Sequence, residues 1–288
     1  MKKRNYVLFT LVSFIWGSCW TIMKIGLQFI DPLNFVAQRF LLASIALLPV
    51  LILRRRTLPR DSYTWLKLIT LSLIIAVSAT LTSIGLLYET IGLSSLLTYT
   101  QPLFVFCLAI IFLGERITKI KALGLISSFL GVAMLYIGKS FSQTFLLEPF
   151  LLLVLGAFLW AVSIVYYKKF LGHVEPAIIN IIQFPIGLTF LLLLVFMTGS
   201  LSFCRDTLYI FSILYTSILG SALASTIWLF LIREEEAIVI STSSLIVPVI
   251  ATLLGWLLIG ESIGYDFLAS FILVLTGLYL VNMPTSGR

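Results

Sequence analysis

Trp16, Trp20, Trp160, Trp228 and Tyr99 offer broad apolar faces, each carrying one hydrogen-bonding group. Ser78, Thr82, Thr98, Ser163, Ser221 and Ser244 add hydroxyls, and Gln101 adds an amide. All twelve lie inside long apolar runs. At helical spacing Trp16 shares a face with Trp20, Ser78 with Thr82, Thr98 with Gln101, Trp160 with Ser163, and Ser221 with Trp228. Such faces can line a cavity that binds a small molecule with an apolar or aromatic part and a hydrogen-bonding head. Helix packing is the competing account, because Ser and Thr are ordinary interhelical contacts in lipid and Trp and Tyr mark the interface belt. That account fits Trp16, Trp160 and Gln101 least well. The two indoles lie mid-run, and an amide in hydrocarbon needs partners.

Pro102 and Pro248 also fall mid-run, each with polar neighbours. They are expected to act as hinges or to free a carbonyl toward a ligand, a static kink being the alternative. Lys24, Arg39 and Glu89 count to one outer level of the membrane and are expected to form a gate cluster, against simple anchoring at the interface. The counterpart at the inner level would be Lys168 with Glu235, with Gln183 in the place of Arg39. Glu115 and Glu261 each follow a glycine at a helix end and are expected to fix loops.

Other chemistry is scarce. His173 is the only histidine and lies in a loop, so neither a metal site nor a catalytic triad can be built around it. Cys19, Cys107 and Cys204 show no CxxC or Cys/His spacing and read as small apolar side chains. No GxxxxGK[ST] phosphate loop occurs, and titratable groups do not converge at mid-span. The expectation is therefore no metal, no cofactor, no nucleotide and no enzymatic activity. Energy would come from a gradient of ion, proton or substrate.

The elements that must position these residues follow from composition. Of 288 residues, 60% are hydrophobic and 11% charged. That is too much apolar surface for an aqueous fold of this size, so the surplus faces lipid. Ten runs of about 20 apolar residues occur, at 6–28, 34–53, 66–88, 92–113, 119–138, 146–167, 177–198, 208–231, 237–259 and 264–282. They are continuous rather than alternating, which excludes a β-barrel. The first is too long for a cleaved signal and is expected to stay as a membrane helix. The net charge of +7 sits in short loops, not on a face suited to nucleic acid. With the N-terminus placed in the cytoplasm, 15 Lys and Arg fall in inner segments and two, Lys139 and Arg205, in outer ones. This predicts a multi-pass plasma-membrane protein with both termini cytoplasmic.

The chain also resembles itself. Glu89, Pro102, Gly114, Glu115 and Gly131 match Glu235, Pro248, Gly260, Glu261 and Gly277 at an offset of 146. Trp16, Lys24 and Pro32 match Trp160, Lys168 and Pro176 at 144. The expected fold is all-α, with ten transmembrane helices arranged as two five-helix repeats, 1–144 and 145–288. Five spans per half is an odd number, so the second repeat enters the membrane inverted, an arrangement that gives a carrier two equivalent open states.

The Trp16 and Trp160 helices, the Pro-to-Gly-Glu stretches ending at Glu115 and Glu261, and the Gly124/Gly131 helix resemble the EamA-type branch of the drug/metabolite transporter superfamily. The resemblance covers nearly the whole chain. It implies a secondary transporter with a central cavity between the halves, often an exporter of amino acids or related metabolites. Ser270 departs from the pattern, where the first half has Gly124. The expected partners are a small-molecule substrate and the lipid bilayer; a non-transporting receptor or scaffold is the alternative.

Overall fold

A computed structural model describes residues 2–54, 58–115, 118–137, 147–199, 201–260 and 267–283. Among these residues there is no strand. The helices are α1 (Lys3–Gly26), α2 (Pro32–Arg54), α3 (Ser62–Tyr88), α4 (Ile91–Thr98), α5 (Gln101–Leu113), α6 (Lys119–Ile137), α7 (Leu147–Tyr166), α8 (Pro176–Thr198), α9 (Thr207–Tyr215), α10 (Ser225–Glu234), α11 (Ala237–Ser243), α12 (Ile246–Ile259) and α13 (Phe267–Asn282). A π-helical turn, Tyr167–Leu171, extends α7, and a longer π segment, Thr216–Ala224, joins α9 to α10. Eight helices or end-to-end helical stretches among the described residues are long and apolar enough to cross a membrane. The protein is an all-helical, multi-pass membrane protein.

Two of the sequence expectations change. The runs 92–113 and 237–259 are not single helices: α4 stops before Tyr99 and α11 before Ser244. Nor are Pro102 and Pro248 mid-helix. Each lies in the first turn of the second piece, α5 or α12. First-turn N–H groups have no intrahelical acceptor, so proline removes nothing there. The interruption lies just upstream, at Tyr99–Thr100 and Ser244–Leu245. Tight backbone turns bridge it, with Thr100 N–H donating to the Leu97 carbonyl (3.2 Å) and Leu245 N–H to that of Thr242 (3.1 Å).

The most extensive helix contacts pair an element before residue 144 with one after it: α6 with α13, α3 with α7, α2 with α8, and α1 with α12. Small residues set these crossings, as expected where lipid supplies no hydrophobic drive between helices. Gly124 and Gly277 bring the α6 and α13 backbones together, and a Cβ on Gly277 would stand 2.5 Å from the Gly124 carbonyl oxygen. Ser127 donates to the Leu273 carbonyl (3.1 Å) and Ser128 to that of Val274 (3.4 Å). Gly156 seats α7 on α3, where its carbonyl accepts from Ser78 (2.8 Å).

Candidate functional site

These crossings leave a cavity between the paired helices, enclosing about 1010 Å³ including its mouth. Indoles form one wall. The Trp16 ring lies 5.0 Å from that of Trp228 and 5.8 Å, edge to face, from that of Trp160. Its N–H donates to the Gly220 carbonyl (3.1 Å) in the π segment. Trp20 and Tyr99 also line the cavity.

Polar groups line it as well. The Arg39 guanidinium projects from α2, donating from Nε to Ser221 Oγ (2.6 Å) and facing Met23 Sδ (3.4 Å). Gln183 lines the same space and donates to Asn180. Thr98 Oγ1, Gln101 Nε2, Gln183 Oε1 and Trp228 Nε1 are buried without a hydrogen-bond partner. Unsatisfied buried polar groups cost about 1–3 kcal/mol each, so a ligand or water that meets them gains that back.

The sequence-chosen residues largely converge here. Trp16, Trp20, Ser78, Thr82, Thr98, Tyr99, Gln101, Trp160, Ser221, Trp228 and Ser244 all line the cavity. Ser163 does not; its hydroxyl turns back to the Trp160 carbonyl (2.7 Å), as buried serines in apolar helices often do. Ser78 is partly spent on packing, through its bond to Gly156.

The expected gate cluster divides. Lys24 Nζ donates to the carbonyls of Leu86 (2.6 Å), Leu87 (2.9 Å) and Glu89 (2.7 Å), closing the C-terminus of α3. Burial holds the Glu89 carboxyl above the usual carboxylate range, with Lys24 pulling it back. Arg39 does not join them and faces the cavity instead. Lys168 mirrors Lys24. It donates to the Glu235 carbonyl after α10 and pairs with Glu115 Oε1 (3.0 Å). Glu115 also accepts from the N–H groups of Ala237 (2.8 Å) and Ile238 (3.0 Å), so one carboxylate joins α5, α7 and α11. Glu261, Lys139 and the Ser270 side chain lie outside the described residues.

Sequence reasoning missed Arg39 and Gln183 as lining residues, together with Cys19, Met23, Ser225 and Phe184. The signal was present in the repeat. Trp16 with Trp160, Arg39 with Gln183, and Phe40 with Phe184 line the cavity at an offset of 144. Ile75 with Ser221, Ala79 with Ser225, Thr82 with Trp228, and Thr98 with Ser244 line it at 146. Seven lining pairs thus fall on the two offsets that the sequence repeat already shows.

Comparison with known proteins follows the same division. The family model described as the EamA-like transporter family matches residues 3–137 and again 148–283. An uncharacterised transporter of Bacillus subtilis, YvbV, is 30% identical over 100% of this chain and 94% of its own length. A Salmonella typhimurium protein named a probable amino-acid metabolite efflux pump is 27% identical, over 97% and 95%. A crystal structure superposes with a TM-score of 0.82, covering 98% of this chain and 97% of that one at 14% identity, which shows the shared fold. With both stretches of the chain matched, the protein belongs to the EamA-like transporter family and is a membrane transporter.

Proposed function

We propose that the protein is a secondary transporter that exports a small metabolite, an amino acid or a related compound, across the plasma membrane. Ten spans form two inverted five-helix repeats, 1–144 and 145–288, with both termini in the cytoplasm. The repeats rock about the central cavity and expose it to one side at a time. The protein is a carrier rather than an enzyme and uses no nucleotide or bound cofactor.

One observation carries this reading: the cavity wall is built from corresponding positions of the two halves, at offsets of 144 and 146. A lining made of equivalent pairs can be presented to either side by exchanging the shapes of the halves. A receptor or scaffold has no use for such an arrangement. The efflux-pump names carried by relatives support export of amino-acid-like cargo.

The test is reconstitution in liposomes with a panel of labelled amino acids, related organic acids, nucleosides and sugars. At least one compound is expected to cross faster than in empty vesicles; silence across the panel with folded protein would favour the receptor reading. Trp16→Ala is expected to cut flux at least tenfold with unchanged expression, since it opens the indole wall and abandons the Gly220 contact. Gln101→Ala should cut it severalfold. Wild-type rates in both variants would remove these side chains from the path. Reporter fusions are expected to place residues 115–118 and 261–264 on opposite faces of the bilayer; one common face would refute the inversion.

A further inference from the structure

Arg39 is the one charged side chain among the described residues lining the cavity; no Asp or Glu lines it. The groups it meets, Ser221 Oγ and Met23 Sδ, are neutral. It is the eighth residue of α2, about 10 Å along the axis from the helix start at the standard rise. A guanidinium at such depth is costly unless it faces a wet cavity or meets an anion. Around the same space, Gln101 Nε2 and Trp228 Nε1 are donors with no acceptor. Gln183 Oε1 is the one unmet acceptor there and suits a neutral N–H or O–H; the unmet donors and the one charge call for lone pairs and negative charge. The indole wall of Trp16, Trp160 and Trp228 provides the complementary apolar surface.

Resting on the transporter reading above, we propose that the cargo is an organic monoanion: one carboxylate paired with Arg39 and an apolar or aromatic tail against the indoles. A guanidinium binds a carboxylate through two parallel N–H donors, and Arg39 lines the cavity with only two neutral groups, Ser221 Oγ on Nε and Met23 Sδ at Nη1, to be displaced or shared. A zwitterion is disfavoured, because its ammonium would enter a cavity that already holds a cation and no lining carboxylate. Charge balance then sets the driving force. The loaded carrier is neutral at the site, the empty carrier holds +1, and each export cycle moves one negative charge outward. An inside-negative potential therefore drives export without a coupling ion. A potential of 100 mV supports an equilibrium gradient of about 50-fold.

The experiment uses the full chain in liposomes, with matched probes: phenylpyruvate against L-phenylalanine and phenethylamine, and 4-methyl-2-oxopentanoate against L-leucine. The oxo acids are expected to leave vesicles at least tenfold faster than their amino acids. A potassium–valinomycin potential, negative inside, should accelerate them and its collapse should slow them. Arg39→Gln is expected to lower oxo-acid flux at least tenfold and abolish the preference, while Arg39→Lys retains part of it. Should Arg39→Gln not purify as a single species, wild-type selectivity and voltage dependence decide alone. Amino acids or the amine moving as fast as the oxo acids, or voltage-independent efflux, would overturn the anion assignment and leave the transporter reading intact. Absence of flux for these probes and for the wider panel would remove both.

Discussion

Gly277→Val is expected to prevent α6 and α13 from closing, and to cost about 3 kcal/mol or more, at the upper end of overpacking penalties. The new Cβ would lie 2.5 Å from the Gly124 carbonyl oxygen and 2.7 Å from the Ser128 backbone nitrogen, and would collide with Ser128 Oγ. Two of those three atoms are backbone, so no rotamer change relieves the clash and the helices must part. Parting them also lengthens the Ser127–Leu273 and Ser128–Val274 bonds, which hold the same crossing. Detergent-purified variant is expected to lose most of its monodisperse fraction after heating that leaves wild type intact. Gly124→Val should behave alike, since its Cβ would meet the Gly277 carbonyl at 2.8 Å. Variants that melt with the wild type would show that α6 and α13 do not touch as described.

Glu115→Ala is the second large effect. The carboxylate is 8% exposed, accepts two backbone N–H groups and pairs with Lys168. Removing one partner of a largely buried pair costs about 3–5 kcal/mol, because Lys168 and the first N–H groups of α11 lose their counter-charge. The loss falls where an element of the first half meets two of the second. Amide exchange at Ala237 and Ile238 is expected to rise at least tenfold, while α13 keeps its wild-type rates. Lys168→Ala combined with Glu115→Ala should cost less than the two changes summed. Additive effects, or unchanged exchange at the start of α11, would contradict the lock.

Most of the architecture was legible in the sequence, for a physical reason. Lipid demands about 20 apolar residues per span, and that demand is written directly into the chain. The helical period then sorted Trp16, Trp20, Thr98 and Gln101 onto faces that do meet in one cavity. What failed was depth and local winding. Arg39 was assigned to the outer interface by counting along one helix, but a cavity carries polarity inward to wherever several helices part, which no single helix reveals. Ser163 shares a face with Trp160 at three-residue spacing, yet a hydroxyl that bonds its own helix needs no cavity. The interruptions at Tyr99–Thr100 and Ser244–Leu245 were invisible because the apolar run continues through them.

The π segment Thr216–Ala224 has no equivalent in α3, which is regular from Ser62 to Tyr88 although it occupies the matching place in the first half. A segment bonded five residues back is wider and shorter per residue than an α-helix. In a carrier whose halves trade conformations, such an inequality makes the exchange uneven: passage to the opposite orientation has to tighten one coil and slacken another. On the alternating-access proposal, the two orientations then differ in energy before any cargo arrives, and the empty cavity rests open toward one preferred face.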